Sequence, residues 1–213
     1  MGAGYIGKTT NGADDIRGAS EQSEREDMWG ELPGEIVSFD PANQTATIRP
    51  LYKKRLDGVP TELPELLEVP VRFQRAGGAA MTFPVKAGDK VSLRPQMRNE
   101  DAYHQDGSAF EATSTRSFSL SDMEAHLAGG ESLSDPIKNF DPANAHMRFD
   151  PEGKYGLRGS PDGKIAIEGS QGNPYKLLAQ AVRLLGEDNH QGSPHQNKAA
   201  ILAIADKLDA MAL

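Results

Sequence analysis

Residues 69–95, VPVRFQRAGGAAMTFPVKAGDKVSLRP, decide how this chain is read. Val69, Val71 and Phe73 alternate with Pro70 and Arg72; Gly77-Gly78 then turns the chain into Met81-Thr82-Phe83, and Lys86-Ala87-Gly88-Asp89 turns it into Val91-Ser92-Leu93. Apolar side chains at every second position predict strands with one face on a core. Glycine supplies positive φ at the corners without steric cost, and Pro84 stands where no ladder amide is needed. The expected product is a β-meander within a small closed or nearly closed barrel.

Working upstream, 35–40 and 44–49 alternate well enough to pair as the first two barrel strands across the Asp40-Pro41-Ala42-Asn43 turn. Residues 52–64 are expected to be a loop or excursion, with a strand returning at 66–73 and the barrel closing near Pro95. Residues 1–30 are polar and charged and are expected to form a flexible arm. The barrel is therefore assigned to 31–98. Residues 99–145 have few β-branched runs and are expected to be an irregular collar with one ordered piece at 118–127.

Downstream, Pro151-Glu152-Gly153-Lys154 recurs ten residues later as Pro161-Asp162-Gly163-Lys164, with Tyr155-Gly156-Leu157-Arg158 and Ile165-Ala166-Ile167-Glu168 following the two corners. Short strands separated by matching turns predict a β-prism or β-helix over 146–172. Three such strands cannot bury an apolar face alone. Three copies about a shared axis would place Phe149, Tyr155, Leu157, Ile165 and Ile167 in a common interior, with Arg158, Lys164 and Glu168 outside, and would remove exposed sheet edges. Residues 173–213 read as helical: an apolar run at 175–185 stopped by Gly186, a polar loop at 189–197, and a helix from Lys198. Ile201, Ile204, Ala205, Leu208, Met211 and Ala212 form one stripe on that last helix. The stripe suits a three-helix seam, and equally a helix packed on its own subunit.

Pro33-Gly34-Glu35-Ile36-Val37-Ser38-Phe39-Asp40, the stretch at 69–95, and Arg116-Ser117-Phe118-Ser119-Leu120-Ser121-Asp122 occur in that order. Together they resemble the N-terminal OB-fold domain of the baseplate central spike proteins of contractile-tailed phages, over roughly half the chain. The family's tryptophan after the last barrel strand is replaced here by Asp101-Ala102-Tyr103-His104. The resemblance implies a mainly β protein: an N-terminal OB-fold barrel, a C-terminal intertwined trimeric β needle, and C-terminal α-helices. It further implies a homotrimer that docks on the hub and tail-tube proteins of the baseplate and pierces the host outer envelope, meeting the outer membrane only transiently. A separate tip protein is a further implied partner, and the virion tail, assembled from protein made in the host cytoplasm, is the implied location. The expected trimer-interface residues are Phe149, Tyr155, Leu157, Ile165, Ile167, Ile201, Ile204, Leu208 and Met211.

Composition narrows the other classes. Hydrophobic residues are 37% of 213, with 22 glycines and 14 prolines, which suits short strands and tight corners better than one large core. Net charge is −8, so a phosphate backbone is repelled and nucleic acid is not an expected partner. An OB-fold single-strand nucleic-acid binder remains the alternative, but it needs a basic groove with stacking aromatics; aromatics are 6%, and Lys53-Lys54-Arg55 stands alone. With no cysteine, disulfides and thiolate metal sites are excluded. No secretory signal is expected at the N-terminus, and the longest apolar candidate, 199–205, is too short to span a bilayer.

Gly2-Ala3-Gly4-Tyr5-Ile6-Gly7-Lys8-Thr9 satisfies two phosphate-loop patterns, but Thr10 to Asp15 supplies no helical apolar face behind it. His104, His126, His146, His190 and His195 show no diagnostic metal spacing, and the His-x-His pair that holds iron at spike tips of the resembled family does not occur. No metal, cofactor or catalytic residue is therefore expected. The chain also lacks G-x-S-x-G and H-E-x-x-H, and Asp14-Asp15, Glu26-Asp27 and Glu187-Asp188 read as solvated pairs, so an enzyme such as a cell-wall hydrolase is not expected. Residues 150–155 resemble a calcium loop only as a turn would.

Overall fold

The structure is a computed structural model that describes residues 12–56, 58–190, 192–194 and 197–211. The phosphate-loop pattern at Gly2–Thr9 and the side chains of His190, His195, Met211 and Ala212 lie outside what is described. The chain divides into two compact units, 1–133 and 134–213.

The first unit is built on a closed five-stranded barrel. Its elements are α1 (Ala13–Asp27), β1 (Leu32–Asp40), β2 (Thr45–Pro50), β3 (Lys53–Leu56), β4 (Val59–Glu62), β5 (Leu66–Arg72), β6 (Gln74–Ala76), β7 (Ala79–Met81), β8 (Lys90–Pro95), α2 (Asp101–Asp106) and β9 (Met123–His126). The barrel order is β1-β2-β5-β9-β8, closing back on β1. Every junction is antiparallel except β5 with β9, where Val71 faces Ala125 and Arg72 faces His126 in parallel.

Inward positions of all five strands supply the core: Leu32, Ile36, Ala46, Ile48, Leu66, Val69, Val71, Val91, Leu93, Met123 and Ala125. Ile48, Val91 and Leu93 have no exposed surface. Gly34 is inward too, and a Cβ there would stand 2.8 Å from Ile48 Cγ2 and 2.9 Å from Leu93 Cδ1. Only glycine lets β1 pass this close to the packed interior. The expected first strand pair is present, and its turn is held by Asp40, whose Oδ1 accepts the Ala42 amide at 2.9 Å and whose Oδ2 accepts Asn43 Nδ2 at 2.8 Å.

The meander expected at 69–95 is corrected. β5 and β8 are not neighbours; the run between them folds off the barrel as the hairpin β6–β7, with Gly77 and Gly78 both at positive φ in a two-residue loop. The Lys86-Ala87-Gly88-Asp89 corner then returns the chain to β1: Gly88 donates to the Ile36 carbonyl at 2.8 Å and Ile36 donates to the Asp89 carbonyl at 2.9 Å. Closure near Pro95 is also corrected. Without a fifth strand, β5 and β8 would each keep an open edge, and β9, inside the expected collar, fills that gap. The 52–64 segment, expected as a loop or an excursion from the barrel, is an excursion: it forms the exposed hairpin β3–β4. The expected flexible arm contains the exposed helix α1, whose run of good helix formers carries an i,i+4 Arg25–Glu21 pair at 3.7 Å.

The second unit contains β10 (Ala145–Arg148), β11 (Gly156–Gly159), β12 (Ile165–Glu168), α3 (Pro174–Glu187), β13 (Asn189–His190), β14 (Ser193–Pro194) and α4 (Lys198–Met211). β10-β11-β12 is an antiparallel sheet, and the ten-residue sequence repeat is its two turns. In the first, Asp150 accepts the Glu152 amide at 2.9 Å; in the second, Ser160 Oγ accepts the Lys164 amide at 3.1 Å. Gly153 and Gly163 take the left-handed position in each.

α3 starts on Asn173, whose side chain accepts the Tyr175 amide at 2.9 Å, with Pro174 behind it. The expected stop at Gly186 is corrected: the helix runs to Glu187, and Gly186 is buried against α4, where an added Cβ would meet Ile201 Cγ2 at 3.0 Å and Leu202 Cδ2 at 3.1 Å. Ala179 and Ala205 are fully buried, so small residues let the two helices approach closely. Arg183 of α3 bonds Asp206 at 2.6 Å and Asp209 at 2.5 Å on α4.

Candidate functional site

The sheet β10-β11-β12 is folded inside out. Cross-strand register puts Met147, Leu157 and Ile167 in one row, and Ala145, Gly159 and Ile165 in the next, on a single face. Phe149 and Tyr155 extend that register, with the Phe149 amide donating to the Tyr155 carbonyl at 3.0 Å. This is the apolar face, and it is open: Met147, Leu157 and Ile167 are 38%, 40% and 39% exposed. Phe149, Tyr155 and Ile165 are also exposed. The five β residues expected to share an interior are thus brought together on one surface of a single chain.

The opposite face carries His146, Arg158, Ala166, Arg148 and Glu168, and it is the covered one. Ala166 is buried, and the His146 side chain is only 5% exposed. Arg158 lies 3.2 Å from Glu168 and 3.5 Å from Asp141, and His146 Nε2 lies 3.8 Å from the same Glu168 oxygen. The Arg148 guanidinium bonds the carbonyls of Lys138 and Asn139, which ties the preceding loop to the sheet. Asp141 is held below the ordinary carboxylate range chiefly by the Asn144 amide, then by the Ala143 N–H, with Arg158 adding to it. Arg158 and Glu168, expected outside the apolar interior, thus lie on the face opposite the apolar rows, where the loop at 138–144 and the cross-strand charges partly cover them while the apolar rows are left to solvent.

The helices divide the remaining interface residues. Ile201 meets Gly186 of the same chain and Leu208 is half-buried, so the stripe on α4 serves packing onto α3, while Ile204 is 52% exposed. The larger open apolar surface is on α3, at Leu177, Leu178, Leu184 and Leu185. None of these leucines was expected at an interface. The signal was present in their spacing, since 177 and 184, like 178 and 185, are one heptad apart with Ala181 between them.

In the barrel unit, many cations are matched by acids. Arg49 meets Glu35 and Glu65, Lys53 meets Glu62, Arg72 meets Glu124, Lys90 meets Glu35, Arg94 meets Glu31, and Arg116 meets Asp122. The Lys90 ammonium is the main cause of the lowered Glu35 pKa. Lys54 instead stands 6.0 Å above the Trp29 ring. Among the described residues, one group of metal-ligating type converges, Glu100, His104 and Glu124. No helix of the described residues is long and apolar enough to cross a membrane.

The described chain thus holds a closed five-stranded barrel in its first unit and, in its second, a small sheet whose apolar face is open. Residues 32–130, which span all five barrel strands, match the family model described as the phage protein Gp138 N-terminal domain. That match supports a phage protein. No curated protein matches the chain.

Proposed function

We propose that this chain is the central spike of a contractile phage tail: a homotrimer seated on the baseplate hub by its barrel and driven through the host outer envelope when the sheath contracts. The observation that carries this reading is the inverted sheet. Three apolar rows facing water are unfavourable at about 25 cal/mol for each Å² left exposed, and the opposite face, with His146, Arg158 and Glu168, is already covered within the chain, so the apolar face is the one left for a partner. Closure of three copies on one axis covers all three faces at once and leaves no free sheet edge.

The order β1-β2-β5-β9-β8, with its single parallel junction, supports an OB-type barrel, and the phage-domain match over the same residues supports a phage role for it, which the proposal places in the tail. Mechanical stiffness would come from inter-chain contacts along the sheet rather than from a large core in each chain. Against the nucleic-acid alternative stand the ion pairs that occupy Arg49, Lys53, Arg72, Lys90 and Arg94. Light scattering on the full chain at micromolar concentration tests the reading. A mass of three 23.0 kDa chains is expected; a well-ordered single chain at that concentration overturns it.

A further inference from the structure

Glu100, His104 and Glu124 each offer a ligand atom, and these atoms all lie within 4.8 Å of one another. Two short elements bring them together: α2, which follows β8, and β9, which closes the barrel. Glu100 and His104 are one helical turn apart, with the His104 amide donating to the Glu100 carbonyl at 3.0 Å, so their side chains project on the same side. Glu124 faces them from β9, nearly buried at 8% exposure. All three line one cavity of about 770 Å³ over β5 and β9, open enough for an ion to enter.

The two elements are locked beside this group by a polar clamp. Asn99, fully buried and next to Glu100, donates through Nδ2 to Asp122 Oδ1 at 3.0 Å and accepts Thr113 Oγ1 at 2.8 Å. Arg116 grips both oxygens of Asp122 at 3.1 and 3.0 Å, and the Gln96 amide donates to the Asp122 carbonyl at 2.8 Å. Residue 99 thus fixes the start of α2, and residue 122 fixes the approach to β9. Arg72 bonds Oε1 of Glu124, which orients that carboxylate and leaves Oε2, with His126 Nε2 3.6 Å away. A carboxylate held by a neighbouring donor is the usual partner arrangement around a bound ion.

We propose that Glu100, His104 and Glu124 form a binding site for a divalent first-row transition cation of the Zn²⁺ class on the flank of the barrel. One imidazole and two carboxylates are a borderline-to-hard donor set, and three protein ligands leave coordination positions for water. A cation there would join α2 to β9, the strand that closes the barrel. No spacing motif announces it, because Glu124 is twenty residues from His104 in sequence and the third ligand arrives only through the fold.

Calorimetric titration of the full chain with ZnCl₂, and its absorption spectrum with CoCl₂, test the site. Saturable binding of one ion per chain is expected, with visible cobalt bands from a nitrogen-containing low-symmetry site. His104→Ala should weaken binding at least about tenfold, and the pair Glu100→Gln with His104→Ala should abolish it. Glu100 occupies the N-cap position of α2 and His104 lies within it, both outside the barrel core, so melting of the barrel followed by circular dichroism should be unchanged in these variants without metal. Absence of saturable binding up to millimolar Zn²⁺ overturns the proposal. So does equal binding by the wild type and the paired variant, which would assign the ion to other surface histidines.

Discussion

The barrel and the three-stranded sheet are built from the same alternation of apolar and polar residues, with opposite results. In the barrel, alternate residues of five strands meet across a closed interior, and Ile36, Ile48, Val91 and Leu93 lose essentially all contact with water. In the sheet, three four-residue strands offer one apolar face, and among the described residues of the second unit that face stays open; the covering segments lie instead on the side that carries His146, Arg158 and Glu168. Alternation specifies which face is apolar. Whether that face is buried within one chain depends on whether the chain has enough strands to close on itself; where it does not, the proposed trimer would supply the missing surface.

The contrast breaks most sharply at Leu157. This residue sits at the centre of the exposed row, between Met147 and Ile167, and is 40% exposed in a single chain. Leu157→Glu should therefore be tolerated by a lone chain and rejected by an assembled one, since three carboxylates would be forced into one apolar interior. The expected outcome is loss of the three-chain mass in light scattering while the barrel's thermal transition is retained. A variant that keeps the wild-type mass would place the interface elsewhere.

The reverse experiment sharpens the comparison from the barrel side. Leu93 is wholly buried on β8, in contact with the interior that Gly34 leaves open. Leu93→Ala should destabilise the barrel by about 2–5 kcal/mol, through lost burial and the cavity left behind. Denaturant unfolding of the first unit reports this directly. The mass of the assembly should stay the same below the unfolding transition, because no part of the proposed interface has been touched.

Legibility followed the same division. Strands β1, β2, β5 and β8 were readable because each is six or more residues of period-two pattern bounded by turn chemistry. β9 was not, because its four residues, Met-Glu-Ala-His, place the nearly buried Glu124 inside a short strand, and only its partners on both sides make it one. β3 and β4 were hidden by an exposed pattern without alternation, although Asp57-Gly58 in the sequence is a strong hairpin dipeptide. The rows of the inverted sheet were visible in the ten-residue repeat, but which face would be covered depends on the loop at 138–144, whose sequence gives no period. The ligand group at Glu100, His104 and Glu124 was invisible for a similar reason, since it is assembled by the clamp at Asn99 and Asp122.

The smallest expected effect comes from a pentapeptide that occurs in both regions. Phe39-Asp40-Pro41-Ala42-Asn43 and Phe140-Asp141-Pro142-Ala143-Asn144 fold into the same turn: each aspartate accepts the amide two residues on, at 2.9 and 3.0 Å, and the asparagine side chain, at 2.8 and 2.9 Å. Both carboxyls are held below their ordinary value of 3.8, Asp40 chiefly by the Ala42 amide and Asp141 chiefly by the Asn144 side chain. A folded-state pKa below the unfolded one means that the stabilisation is fully present above the unfolded value and is lost as pH falls through the folded one. The turns differ in one respect: among the described residues only Asp141 also faces an arginine, Arg158, beneath the sheet. Protonating Asp141 removes one of the two carboxylates that balance Arg158, whereas protonating Asp40 weakens only a surface turn. Acid should therefore disturb the second unit before the barrel, and Asp141→Asn, which keeps an acceptor for the Ala143 amide but not the charge, should flatten that acid response more than Asp40→Asn flattens the barrel's. Amide NMR signals of Arg158 and Ala46, followed from neutral pH down through the carboxylate range, decide it; simultaneous loss of both in the wild type would show that the charged face of the sheet contributes nothing that the surface turn does not.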